Sequence, residues 1–204
     1  MSTYARPSTR PSTTCPPIHG SAYGDATSPS GSTATSRPEH FLDPGALVAM
    51  FVDIVAKGGN LLLNVGPRGE DASIPDQQLQ LLDALGSWTS GPGSTVFGSR
   101  PWVRPGCSTP SGRELRFWTR DRSTFVAIGP RPGAGAAPGP GPAGPGSAEG
   151  IRIPGVAPTP TTEVLDDSGA AVPHERLEGG LRLVTRLGEG VRWPVFELRD
   201  CRPA

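Results

Sequence analysis

The 204-residue chain balances 19 Lys and Arg against 19 Asp and Glu, and Lys57 is its one lysine, so no basic stripe exists to neutralise a phosphate backbone or an anionic bilayer. Nucleic acid and membrane surfaces are thereby excluded as expected partners. No apolar run approaches the ~18 residues of a membrane span, the opening MSTYARPSTRPSTT lacks the apolar stretch of a secretory signal, and 28 Gly with 25 Pro keep much of the chain out of any packed core.

Residues 1–38 are Ser, Thr, Pro, Gly and Ala with almost nothing large and apolar, a composition that cannot offset the entropy of ordering. Disorder is expected there. Cys15 and His19 are two potential ligands where zinc wants four, so both read as loop residues, and no metal or cofactor is expected. Cys15, Cys107 and Cys201 are odd in number and widely spaced, which argues against a disulfide framework and leaves a single Cys107–Cys201 bridge as the alternative to thiols.

The texture changes at His40. Asp43-Pro44 supplies an N-cap acceptor followed by a residue preset for the first helical turn. Leu47, Phe51, Ile54 and Val55 then recur at helical spacing and Gly58 supplies a stop, predicting an amphipathic helix over 44–57. Residues 59–67, GNLLLNVGP, form a short apolar run without alternation, the pattern of a parallel strand buried on both faces. A polar loop over 67–73 follows. Pro75 opens a second helix with Leu79, Leu82 and Leu85 on one face, Leu81 and Trp88 beside it, and an end at Ser90-Gly91-Pro92-Gly93. Helix, buried strand, loop and helix fit one edge of an α/β barrel.

From Thr95 onward, short runs at 96–97, 115–118, 124–128, 151–153, 163–165, 181–187 and 195–198 are separated by turn residues, and several alternate apolar with charged, as in Leu181-Arg182-Leu183 and Phe196-Glu197-Leu198-Arg199. They predict a small antiparallel β-sandwich. The Pro/Gly/Ala insert at 129–146 has no strict Gly-X-Y period and reads as a flexible loop between strands. Three regions result: 1–38 low-complexity, 39–94 a barrel remnant, and 95–204 a sandwich.

The segment 37–102 carries Val55-Ala56-Lys57-Gly58-Gly59, NLLLNVGP over 60–67, an acidic Gly loop, Ile74-Pro75, a Gln- and Leu-rich helix ending near Trp88, and Phe97-Gly98-Ser99-Arg100-Pro101-Trp102. In that order these pieces resemble the last barrel units of the family 29 glycoside hydrolases, the α-L-fucosidases. Arg116-Phe117-Trp118-Thr119 and Thr124-Phe125-Val126-Ala127-Ile128 resemble, more loosely, a hairpin of that family's C-terminal sandwich. Ser21-Ala22-Tyr23-Gly24 departs from the family's S-[WF]-G-Y stretch in lacking the Trp, and no binding role is carried onto Tyr23. The resemblance implies a remnant of a (β/α)8 barrel followed by a β-sandwich, a retaining hydrolysis of terminal α-L-fucosyl linkages, and a fucosylated glycan as partner.

A retaining enzyme needs two carboxyl groups about 5 Å apart across the glycosidic bond. In the family both lie upstream of the NLLLN strand, and a complete barrel takes ~250 residues, whereas 43–88 amounts to about one and a half units. No catalytic residue is therefore assigned, and the chain alone is expected to be inactive. Asn64, near the C-terminal end of the strand, is the candidate substrate-binding residue, against the alternative that its amide ties down the neighbouring loop. Glu70 and Asp71 read as solvated loop carboxylates, Asp166-Asp167 as a turn, Lys57 as a complement to the helix dipole, and His40 and His174 as surface residues. Without flanking strands, Leu61-Leu62-Leu63 would expose two edges and two apolar faces, which predicts poor solubility or docking of the helices onto the sandwich. Two other readings are a carbohydrate-binding or interaction module on 95–204, with Trp102, Trp118 and Trp193 as stacking residues, and a functionless fragment.

Overall fold

The computed structural model describes residues 22–24, 42–131, 150–185, 187 and 193–204. Its first element, β1 (Ala22–Gly24), lies inside the stretch expected to be disordered. The expectation fails at these three residues because strand formation is decided by a partner, here one distant in sequence, and composition carries no trace of it. Cys15, His19, His40 and nearly all of the Pro/Gly insert fall outside the described residues.

Helix α1 (Pro44–Ala56) begins as its sequence dictates: the Asp43 carboxylate accepts from the amides of Gly45 at 2.8 Å and Ala46 at 3.1 Å. It ends in a Schellman motif, with the Gly59 amide reaching Ile54 O and the Gly58 amide reaching Val55 O. Gly58 sits at φ +73°, and a Cβ there would fall 2.6 Å from Cγ of Pro101. Only glycine lets the helix end seat against the strand that holds Pro101.

Strand β2 (Leu61–Leu63) pairs parallel with β1, Tyr23 opposite Leu62. It was expected to be buried on both faces, yet Leu62 is 56% exposed while Leu61 and Leu63 are half-buried against Leu47 and Leu81. Among the described residues the two-stranded pair has helices on one side only, so the alternation of the pleat separates what an unbroken Leu run cannot. Helix α2 (Asp76–Ser90) shows a related shift: Gln78, Leu81 and Trp88 are buried, Leu82 and Leu85 half-buried, and Leu79 is 41% exposed. The buried stripe is rotated because the helix faces two layers at once, Leu81 meeting α1 and Trp88 meeting the sheet beyond.

A 3-10 turn, Pro92–Val96, leads into β3 (Arg100–Ser108), β4 (Glu114–Arg120) and β5 (Ser123–Ile128), then β6 (Ile151–Pro154), β7 (Val156–Leu165), β8 (His174–Leu177), β9 (Gly180–Leu183) and β10 (Val195–Pro203). They form a five-stranded sheet, β3-β4-β5-β10-β7, and a three-stranded sheet, β6-β9-β8, both antiparallel. Leu115, Phe117, Val126, Ile128, Phe196 and Leu198 point from the larger sheet onto Ile151, Ile153, Leu181 and Leu183 of the smaller one. The opposite face of the larger sheet is not solvated. Trp118, Phe125, Ala127 and Val195 pack there against Val48 and Val52 of α1 and Trp88 of α2, so the helices are docked on the sandwich. Burial on both faces explains why residues 124–128 are all buried, where a half-exposed strand would alternate.

Candidate functional site

The end of β2 is where the sequence places its candidate. Asn64 is exposed there, directly after the strand. Two residues on, the Gly66 amide donates at 2.8 Å to Oε1 of Gln78, which is only 2% exposed on α2. The amide side chain that secures this loop is therefore the one on Gln78. The tip beyond is built from itself: Arg68 N donates to Ser73 O at 2.8 Å, Ala72 N to Arg68 O at 3.0 Å, and Ala72 adopts φ 57°. Asp71 accepts from the Ser73 amide at 2.9 Å, and the hydrogen bonds from Ser73 hold its carboxyl below the usual range. Asp71 is a turn-forming carboxylate, and Glu70 beside it is exposed.

The helices are fixed to the sheet by two polar contacts as well as by apolar packing. Arg116 on β4 meets Asp53 of α1 at 2.6 Å and Glu114 at 3.1 Å, while Lys57 meets the other oxygen of Asp53 at 2.5 Å. Partial burial pushes the Asp53 carboxyl up, but the hydrogen bonds from Lys57 and Arg116 outweigh it and hold the group below its ordinary value. Lys57 thus serves an ion-paired cluster at the helix end, beyond the dipole role its position suggests. The indole of Trp88 donates to Trp193 O at 2.9 Å in a buried contact. Nothing local in the sequence signals the pairing of Asp53 with Arg116, because partners 63 residues apart leave no pattern.

A second candidate lies on the sandwich. Beside the two-residue β4–β5 turn at Asp121-Arg122, both at positive φ, an open concavity of about 550 Å³ is lined by Asp121, Glu163, Glu197 and Asp200 together with Arg122 and Arg199. Glu197 there is not set up as a general acid. Glu197 accepts from Ser123 Oγ at 2.6 Å and from Arg199 Nε at 2.9 Å. Burial raises its carboxyl, yet Arg199 and Ser123 together pull it below the usual range, whereas a general acid at neutral pH must be shifted upward. Asp166 takes amides from Ser168 and Ala170, both at 2.9 Å, and forms the turn its sequence predicts. Among the described residues no group of three or more His, Cys, Asp or Glu could hold a metal ion.

The tryptophans proposed for sugar stacking are all interior: Trp102 is 8%, Trp118 0% and Trp193 3% exposed. A stacking platform must present its ring face to solvent, so the carbohydrate-binding module loses the residues it depended on. His174 is half-buried, with Nδ1 3.3 Å from Val172 O. Cys107 and Cys201 are not joined to one another.

A family model for alpha-L-fucosidase matches residues 24–94, the stretch that begins in β1 and takes in both helices, β2 and the Gln78-anchored loop. Over that stretch the chain is similar to the α-L-fucosidases. Tissue alpha-L-fucosidase of Macaca fascicularis is 41% identical over 56 residues, 28% of this chain and 12% of that protein, and the Bos taurus enzyme matches to the same extent. The crystal structure of Thermotoga maritima alpha-fucosidase in complex with fucose superposes with a TM-score of 0.64 at 30% identity, over 80% of this chain and 36% of that one. The fucosidase likeness in structure thus extends past the family-model match into the sandwich. The chain spans about a third of the solved fucosidase, and its match spans about an eighth of the curated ones.

Proposed function

We propose that this chain provides the closing part of the scaffold of an α-L-fucosidase that hydrolyses terminal α-L-fucosyl linkages with retention, and that it does not turn over substrate alone. The observation that carries the reading is the coincidence of the family match over 24–94 with a parallel β1–β2 pair, covered by helices on one face and bearing exposed Leu62 on the other. In this reading 39–94 is the last portion of a (β/α) barrel, 95–204 is the appended sandwich, and the Leu62 face turns toward the rest of the barrel. Asn64 then stands at the C-terminal end of a barrel strand, where sugar-contacting side chains belong. The two carboxyl groups of the retaining mechanism come from polypeptide that precedes this unit in the family.

The test is hydrolysis of p-nitrophenyl α-L-fucoside by the 204-residue chain beside a version extended upstream by the earlier barrel units. The extended protein is expected to release nitrophenol and the short chain none. Turnover by the short chain places the chemistry within these residues and ends the proposal.

A further inference from the structure

We infer that Gln78 is the positioning residue for the β2 end, holding the 64–67 segment through Gly66 so that Asn64 keeps one disposition at the mouth of the strand pair. Three observations carry this. Gln78 is the one residue of the α2 buried stripe that is polar, and at 2% exposure its amide is withdrawn from water. An apolar side chain would serve that packing position at lower cost, so the amide requires a partner that repays its desolvation. That partner is the Gly66 amide at 2.8 Å, twelve residues earlier and two beyond Asn64.

The surrounding loop shows why an outside anchor is needed. Its own hydrogen bonds close only the tip, from Arg68 to Ser73, and leave residues 64–67 outside the closed turn. Pro67 has no amide to donate. Gln78 bridges this gap from the rigid side, a helix whose neighbours Leu81 and Trp88 are locked in two cores. The consequence for sugar recognition rests on the reading of Asn64 given above; the clamp does not.

The experiment uses the full 204-residue chain and amide hydrogen exchange read by NMR at Gly66, with Val126 in the sandwich core as reference. Gln78→Met keeps the length and apolar contacts but removes the acceptor, and should speed exchange at Gly66 by roughly tenfold while Val126 stays as protected as before. Gln78→Glu restores an acceptor oxygen and should keep Gly66 near the wild-type rate at pH 7. Gly66 protection unchanged by Gln78→Met, or lost equally in both variants, overturns the clamp. If Gln78→Met unfolds the chain, Gln78→Glu decides: a protected Gly66 supports the clamp and an exposed one refutes it. A parallel titration with L-fucose of a version extended upstream by the earlier barrel units, followed at the Asn64 side-chain amide, tests the sugar role separately, and its silence removes that role while Gly66 exchange still judges Gln78.

Discussion

Replacing Asp53 by Asn should loosen the helices from the sandwich, and the size of the effect follows from the exposure of the ion cluster. The Asp53 and Arg116 side chains are 28% and 17% exposed at a separation of 2.6 Å. Such a pair lies between surface bridges, worth up to ~1 kcal/mol, and buried ones, whose disruption costs ~3–5 kcal/mol; about 2 kcal/mol is expected here. Lys57 is 39% exposed and on the same helix, so Lys57→Met should cost only about 0.5 kcal/mol. In an Arg116→Met background the Asp53→Asn cost should shrink toward the Lys57 share, which a double-mutant cycle reads directly. The acid dependence has a definite sign. The folded Asp53 carboxyl is held below its ordinary value, so its stabilisation is complete above the unfolded value near pH 4 and disappears as pH falls through the folded one. Urea unfolding followed by tryptophan emission suits the measurement, since Trp88, Trp118 and Trp193 lie in the layer between helices and sheet. Equal stability of wild type and Asp53→Asn at pH 7, or a difference that persists after Asp53 is protonated, refutes the reasoning.

Gly58→Ala should lower stability by about 2–4 kcal/mol, combining the left-handed backbone with overpacking against Pro101. Gly69→Ala, where a Cβ meets nothing within 4 Å, should leave the thermal midpoint almost unmoved and so serves as the control. Trp88→Phe leaves Trp193 O without its buried donor, and a loss of about 1–3 kcal/mol in a denaturant titration is expected.

Much of the helical unit is legible in the chain itself. The Asp43-Pro44 start and the Gly58-Gly59 end of α1 are local hydrogen-bond solutions, so their chemistry is written in adjacent residues. The alternation of Leu181-Arg182-Leu183 likewise marks which side of β9 is buried, and the order of motifs from Val55 to Trp102 by itself resembles the fucosidase family. At the candidate site, sequence pattern marked Asn64 by its place after the strand. It passed over Gln78, whose significance is visible only as a buried amide on a helix stripe meeting a backbone N–H twelve residues away.

What tertiary structure alone decided are the features that depend on a second surface. Ala22-Tyr23-Gly24 becomes a strand because β2 offers it an edge to pair with, and Leu62 is exposed because, among the described residues, helices cover only the other side of that pair. The outer face of the five-stranded sheet is a core because α1 and α2 lie on it, which turned Trp118 and Trp193 from candidate sugar platforms into packing, while Trp102 is buried between the two sheets. Caps, stops and alternation are set by neighbours a few bonds away, so one chain segment specifies them. Burial is a relation between segments far apart in sequence, so residue order restricts it without choosing it.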